Sequence, residues 1–121
     1  MESRSNEEVG DRNVFFHEEK NSPRYVPRTV LLDSEDNPMK DIMKSKGNIL
    51  SKNQLIHGKE SSNYYTRASY TIGRDVIEPA LEAIRHQLEK CDNIGTIIFQ
   101  NCFTGATGSG MISNVRHRLS L

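Results

Sequence analysis

A glycine-rich motif at residues 105–110 (GATGSG) carries the most suggestive chemistry in this sequence. Gly105 and Gly108 let a backbone approach an anion closely and adopt positive φ. The N–H groups of such a loop, and of a helix that begins after it, can bind phosphate, and Thr107 and Ser109 add hydroxyl donors. No lysine follows, so this is not a Walker A loop, and backbone dipoles and a metal ion would balance the phosphate charge. A flexible strand-to-helix turn is the alternative, because glycine also occurs in ordinary turns.

Two acidic residues form a second candidate site. Asp33 ends a short apolar run, residues 28–33 (RTVLLD), and Glu35 lies two positions later. A carboxylate at the end of a strand, close to phosphates, can hold Mg²⁺ directly or through water. The alternative is a pair of surface acids that cap a helix, because acids are enriched in first helical turns.

The elements that must position these residues alternate along the chain. Residues 28–33 and 96–99 (TIIF) are typical of buried parallel strands, and residues 54–57 of a short edge strand. A short helix is predicted after Pro38, a long amphipathic helix at residues 71–91 with a kink at Pro79, and a last helix from Met111 onward. This order predicts an α/β fold with a mostly parallel sheet, whose ligands lie beyond the carboxyl ends of the strands.

Composition excludes several classes of protein. The chain has 121 residues, 35% of them hydrophobic, with 16 basic and 16 acidic side chains. A neutral balance argues against a nucleic-acid partner, and no apolar run is long enough for a membrane span. Residues 1–12 are polar and are predicted to be disordered, without the apolar region of a secretory signal. We therefore expect a cytosolic protein in which Cys91 and Cys102 are small buried thiols, since no zinc-ligand spacing occurs.

Four blocks of the sequence, in order, resemble tubulins. Residues 25–35 (YVPRTVLLDSE) are similar to the tubulin segment YVPRAVLVDLEP, and residues 54–60 (QLIHGKE) to QLITGKE of α-tubulin. Residues 70–73 match its YTIG, and residues 103–110 (FTGATGSG) resemble the tubulin signature GGGTGSG. The chain is therefore identified as a member of the tubulin family, and the GKE and YTIG blocks favour the α type.

This resemblance implies a Rossmann-like parallel sheet with flanking helices, in which residues 13–121 are part of a GTP-binding domain of the tubulin/FtsZ type. It implies GTP and Mg²⁺ as cofactors, tubulin subunits as partners in heterodimers and protofilaments, and a location in the cytoplasm and cytoskeleton. Asp33 and Glu35 would lie on the loop that meets Mg²⁺ and the γ-phosphate, with Glu35 as the metal ligand, and Asn63 would contact phosphate. The signature loop around the α- and β-phosphates would comprise Cys102, Gly105, Ala106, Thr107, Gly108 and Ser109.

The sequence departs from the family pattern at these same positions. Thr104 and Ala106 replace two signature glycines, which places side chains where the loop would pass a phosphate. Cys102 stands where the family has a hydroxyl-like donor, and a thiol donates poorly. No segment resembles the family's first strand, its GQxG phosphate loop, its base-binding loops or its catalytic acid. These departures predict a divergent and truncated form of the domain.

Two functions follow from the resemblance. The first is a tubulin-like, GTP-binding structural constituent of microtubules, in a truncated and degenerate form. The second is a tubulin-like interaction protein that binds no nucleotide. Whether the chain is an enzyme stays open, because the family hydrolyses GTP whereas the catalytic and base-binding parts are not recognised here, and no catalytic residue is predicted.

Overall fold

The computed structural model describes residues 12–45, 49–59, 70 and 73–119. These ranges contain four short strands and three helices with fully described bounds, and residues 12–15 are also helical. The strands are β1 (Phe16–Glu18), β2 (Tyr25–Pro27), β3 (Leu31–Asp33) and β4 (Leu55–His57). The helices are α1 (Asn37–Ser45), α2 (Gly73–Glu89) and α3 (Ala106–Arg118), and a 3₁₀ turn (Lys52–Gln54) precedes β4.

The central sheet consists of β3 and β4, which pair in parallel with Leu32 opposite Ile56 and Asp33 opposite His57. Leu32 and Ile56 pack against α2 and α3. The preceding residue of β4, Leu55, lies with Met39 and Met43 of α1. Because successive side chains of a strand point to opposite faces, α1 covers one face of the sheet and α2 with α3 covers the other.

The core between the sheet and the two long helices is small. Its buried members are Val76, Ile77 and Ala80 of α2 and Met111 and Val115 of α3. The apolar stripe predicted for the long helix therefore faces the sheet. Its charged face is exposed, as the 3.6-residue periodicity predicts; these exposed residues are Arg74, Asp75, Glu78, Glu82, Arg85, His86 and Glu89.

A buried glutamine joins the two halves of the central sheet. Gln54 is only 1% exposed, and its Nε2 donates to the carbonyl oxygens of Pro27 at 2.7 Å and Thr29 at 3.0 Å. Its Oε1 accepts the backbone N–H of Ser51 at 2.8 Å. The entrance to β3 and the entrance to β4 are thus held together by one side chain whose polar atoms are all engaged, as burial of an amide requires.

The amino-terminal residues form an antiparallel hairpin that the sequence pattern did not predict. His17 of β1 lies opposite Val26 of β2. Arg28, just after the hairpin, donates from Nε to the carbonyl of Asn13 at 3.1 Å and from Nη1 to the carbonyl of Lys90 at 3.0 Å. The same Nη1 donates to Sγ of Cys91 at 3.3 Å. One guanidinium group therefore attaches the hairpin to the carboxyl end of α2.

The prediction that residues 28–33 and 96–99 are parallel strands of one sheet is wrong. The strand at 28–33 is confirmed only as Leu31–Asp33, and its partner is β4. Residues 94–101 form no strand within the described ranges. Phe99 packs on the helical core, but an apolar run becomes a strand only when another strand satisfies its backbone groups.

Two further boundaries differ from expectation. Helix α3 begins at Ala106, five residues before the predicted start at Met111, so most of the glycine motif is helical. Helix α2 continues through Pro79 from Gly73 to Glu89, and the kink at Pro79 stays a prediction. Cys102 is exposed rather than buried, and Cys91 is half-buried; both are free thiols. Among the described helices, none combines the length and apolar character needed to cross a bilayer.

Candidate functional site

The carboxyl end of β3 supplies the first half of the candidate site. Asp33 is half-buried, its carbonyl accepts the N–H of Gly58 at 3.0 Å, and its Oδ1 accepts the N–H of Ser34 at 2.7 Å. Ser34 is 2% exposed. The strand therefore ends in a tight polar corner, and Glu35 follows it at a half-buried position before α1 begins.

The start of α3 supplies the second half. Gly105 is the N-cap residue, with φ −83° and ψ 130°, and makes no side-chain cap. The N–H of Ser109 donates to the Gly105 carbonyl at 3.1 Å, and its Oγ donates to the same oxygen at 2.6 Å. The first backbone N–H groups of a helix have no intrahelical acceptor and carry the positive end of its dipole. Ala106, Thr107 and Gly108 are the first three residues of this helix.

The expectation of positive φ at Gly105 and Gly108 is wrong. Gly105 is extended, and Gly108 lies in the helix. A Cβ on Gly108 would lie 3.5 Å from the backbone N and O of Cys102, which is ordinary van der Waals contact. Neither the approach of the preceding loop nor the backbone conformation therefore requires glycine at 108.

A contact between two hydroxyl groups brings the two halves of the site together. Oγ of Ser34 and Oγ1 of Thr107 lie 3.4 Å apart, although 73 positions separate them in the chain. The acidic end of β3 and the first turn of α3 are thus neighbours, as the rule for the carboxyl ends of parallel strands predicts. Ser34 was not among the predicted site residues; its burial directly after a strand-ending acid could have indicated it.

Cys102 lies in the loop before α3, beside Thr104. Its Sγ is 3.2 Å from the Thr104 Oγ1. Hydrogen bonding from the Thr104 hydroxyl, and then from the backbone N–H groups of Thr104 and Gly105, lowers the pKa of the Cys102 thiol. These hydrogen-bond donors of the loop therefore favour the negatively charged form of the Cys102 sulfur.

The acidic residues fit a magnesium ion held partly by water. Glu35 makes no hydrogen bond or ion pair with the other described residues, so its carboxylate is available. No group of three or more potential metal ligands occurs among the described residues. Mg²⁺ commonly keeps several waters and takes only one or two carboxylates together with phosphate oxygens. Glu35, with Asp33 beside it, suits such a site better than a closed protein cage. Asn63 and Tyr64 lie outside the described residues, as do residues 1–11.

The fold and this site define the class of protein. A parallel sheet lies between helical layers, and its strand ends meet the start of a helix in a glycine-rich motif; this is the arrangement of α/β domains that bind phosphate groups. The Tubulin/FtsZ family, GTPase domain, matches residues 1–120. The chain belongs to this family, which confirms the predicted α/β, Rossmann-like class.

Individual relatives agree with the family match. The chain is 35% identical to the tubulin alpha-8 chain of Caenorhabditis elegans over 99% of its own length and 27% of that protein. It is 40% identical to the tubulin alpha chain of Encephalitozoon cuniculi over 79% of its length and 22% of that protein. It is 36% identical to tubulin alpha chain-like 3 of Mus musculus over 90% of its own length and 25% of that protein. The matched region thus spans about a quarter of these relatives, and the resemblance to the α type is confirmed.

Proposed function

We propose that this chain is the phosphate-binding part of a tubulin-like, GTP-binding constituent of the cytoskeleton. The observation that supports it most strongly is the approach of Ser34 to Thr107, which joins the end of β3 to the first turn of α3. In this proposal the α3 amino terminus and the Thr107 and Ser109 hydroxyls contact phosphate, and Glu35 with Asp33 holds Mg²⁺ through water. GTP when bound supplies the γ-phosphate, and the partners are other tubulin subunits in the cytoplasm.

Features of the same loop lead us to expect that this chain binds GTP only weakly. Oγ1 of Thr104 already lies 3.2 Å from the Cys102 sulfur. A thiol is a weaker donor to phosphate than a hydroxyl, and Ala106 adds a Cβ at the first residue of the helix. Each lost hydrogen bond to a charged group forgoes about 1.5–3 kcal/mol, and about 1.4 kcal/mol is a factor of ten in affinity. We therefore expect no measurable GTP binding by the chain at micromolar concentrations, and no GTPase activity.

Alkylation of the two cysteines tests the phosphate site at higher ligand concentrations. Cys102 lies in the proposed site, whereas Cys91 is half-buried against Arg28 at the end of α2 and serves as an internal control. Mg·GTP and Mg·tripolyphosphate in the millimolar range should slow iodoacetamide reaction at Cys102 and not at Cys91. Guanosine should not protect. Thr107→Ala should abolish protection, whereas Ser113→Ala, on the exposed side of the same helix, should preserve it.

The outcomes separate the candidate functions. Lack of protection by either phosphate compound would reject the phosphate site and leave a tubulin-like interaction protein that binds no nucleotide. The observation that favours this second candidate is the contact between Sγ of Cys102 and Oγ1 of Thr104, at 3.2 Å, within the loop that would bind phosphate. A saturable, GTP-selective titration at micromolar concentrations, lost in Thr107→Ala, would instead refute the expected weakening and restore a full nucleotide site.

A further inference from the structure

A groove lies between α1 and β4, on the face of the sheet opposite to α2 and α3. It has a volume of about 480 Å³, a size typical of sites that accept a ligand. Met39 is buried in it, and Met43 and Leu55 are half-buried. These three side chains form an apolar floor, which we call the methionine floor. Methionine adapts its shape readily and is common on surfaces that bind peptides.

Lysine side chains surround the methionine floor. Lys40, Lys44 and Lys52 line the same groove and are exposed. Asp36, the acid among the described lining residues, forms an ion pair with Lys40. The ammonium groups of Lys44 and Lys52 make no ion pair or hydrogen bond with the other described residues. The groove therefore presents two positive charges that a partner could neutralise.

The positive charge is a local property of this segment. Between Asp36 and His57, which bound the lining residues, there are four lysines and two aspartates, whereas the whole chain has 16 basic and 16 acidic residues. A concentration of one sign of charge at a groove attracts ligands of the opposite sign and orients them as they approach. An acidic partner therefore complements this groove.

We propose that the groove binds an acidic peptide segment of a partner protein. An apolar side chain of the peptide would pack on the methionine floor, and Asp or Glu residues on either side of it would pair with Lys44 and Lys52. None of these groove residues belongs to the proposed phosphate site, so the inference is independent of the nucleotide function.

A peptide complements both parts of the groove, whereas other anionic partners complement one. The phosphates of a nucleic acid would meet the lysines and leave the apolar floor uncovered. A bilayer surface requires apolar side chains that can enter the lipid, but Met39 is only 6% exposed. A side chain of a peptide can reach such a floor because it projects from the backbone.

Fluorescence polarisation with labelled hexapeptides tests the partner chemistry. The peptide EDLLED should bind the chain saturably at micromolar concentrations. EDSSED, which has the same charge, should bind at least about tenfold more weakly, because it loses the burial of leucine. QNLLQN, which keeps the leucines without the charges, should also bind more weakly. Equal binding of EDLLED and EDSSED, or no saturable binding of EDLLED, would refute the proposal.

Two matched double variants test the location of the site. Lys44→Gln with Lys52→Gln should weaken EDLLED binding by at least about fivefold, since both ion pairs are lost. Lys20→Gln with Lys90→Gln removes the same charge from exposed positions outside the groove and should change binding by less than about twofold. Helical circular dichroism should be the same in both. Equal effects of the two double variants would show that the peptide does not occupy this groove.

Anionic vesicles and RNA distinguish the other possible occupants. Phosphatidylserine vesicles and single-stranded RNA should bind less tightly than EDLLED, and Met43→Gln should weaken EDLLED binding without altering theirs. Binding of vesicles or RNA that is lost in Lys44→Gln with Lys52→Gln, without binding of EDLLED, would assign the groove to a membrane or a nucleic acid and overturn the peptide partner.

Discussion

At the scale of single residues, Ser34 links the end of β3 to the start of α3. It is buried, it follows the acid that ends β3, and its hydroxyl meets Thr107 at the start of α3. The α-tubulin pattern quoted above has leucine at this position, so the hydroxyl is a feature of this chain. A buried hydroxyl is tolerated only when it has a hydrogen-bond partner.

We expect Thr107→Val to lower the free energy of unfolding by about 1–2 kcal/mol, because it leaves the buried Ser34 hydroxyl without this partner. The measurement is the urea midpoint of helical circular dichroism. Ser34→Ala combined with Thr107→Val should cost less than the sum of the two single changes, since the pair is then removed together. Strict additivity would mean that the two hydroxyls do not interact.

At the scale of elements, the junction of β1 with α2 should sense pH. His17 is half-buried, and its Nε2 lies 3.5 Å from Nζ of Lys90. Burial, and then the positive charges of Lys90 and Arg28, lower the pKa of His17 below its usual value. A base with a lowered pKa in the folded state binds protons more readily when unfolded.

Stability contributed at His17 is therefore complete above about pH 6.5 and is lost as the pH falls through the unfolded and then the folded pKa. We expect the urea midpoint to fall between about pH 7 and pH 5, and His17→Gln to remove most of this slope. Lys44→Met, on the exposed side of α1, changes one charge elsewhere and should keep the slope. An unchanged slope in His17→Gln would assign the effect to other groups.

Helix α2 contains a residue that weakens it. Pro79 is the seventh residue of the helix and is exposed, so the carbonyl of Asp75 receives no N–H from it. Pro79→Ala should raise the free energy of unfolding by about 1–3 kcal/mol, seen as a higher urea midpoint. Arg74→Ala, exposed in the same helix, should change it by no more than about 0.5 kcal/mol. A lower midpoint in Pro79→Ala would show that the proline is required.

The sequence predicted secondary structure best where the pattern of apolar residues lies within a single element. The spacing of Val76, Ile77 and Ala80 predicted α2 and its buried face, and residues 54–57 were recognised as a strand. Two features depended on distant partners and were missed. Residues 96–99 have strand composition but pair with no strand among the described residues, and the β1–β2 hairpin depends on contacts of Arg28 with Lys90 and Cys91. Composition does not encode which segment a strand lies beside.

The candidate site was predictable in part for the same reason. Asp33, Glu35 and the glycine motif were found from residue types, and Asp33 ends β3 as predicted. That α3 begins inside the motif was missed, because Gly108 and Gly110 have low helix propensity. In the structure Gly108 lies against the backbone of Cys102, and Gly110 is buried. A Cβ on Gly108 would meet only ordinary contact distances, so neither a positive φ nor a close approach requires glycine there.

At the scale of the whole molecule, the hydrophobic core is lean. The buried apolar side chains of the described residues include three of α2 and two of α3 around the sheet, together with isolated members such as Val26 and Met39. Ile98 and Phe103 remain exposed beside this core. A small domain buries a low fraction of its surface and is only marginally stable.

We therefore expect the purified chain to be aggregation-prone or only partly ordered, with a broad thermal transition followed by scattering. Ile98→Lys should reduce the scattering without raising the transition temperature, because it changes an exposed apolar side chain and not the core. A sharp, reversible melt of a monodisperse monomer would contradict this expectation.

The contact of Arg28 with the end of α2 also has a consequence for synthesis. The guanidinium group reaches the Lys90 carbonyl across 62 positions of the chain. A chain emerging from the ribosome in order presents the hairpin long before its anchor exists. The hairpin therefore cannot dock on α2 until the last turn of that helix has left the ribosomal exit tunnel. Docking of the hairpin is therefore a late step, which cannot precede the synthesis of Lys90 and Cys91.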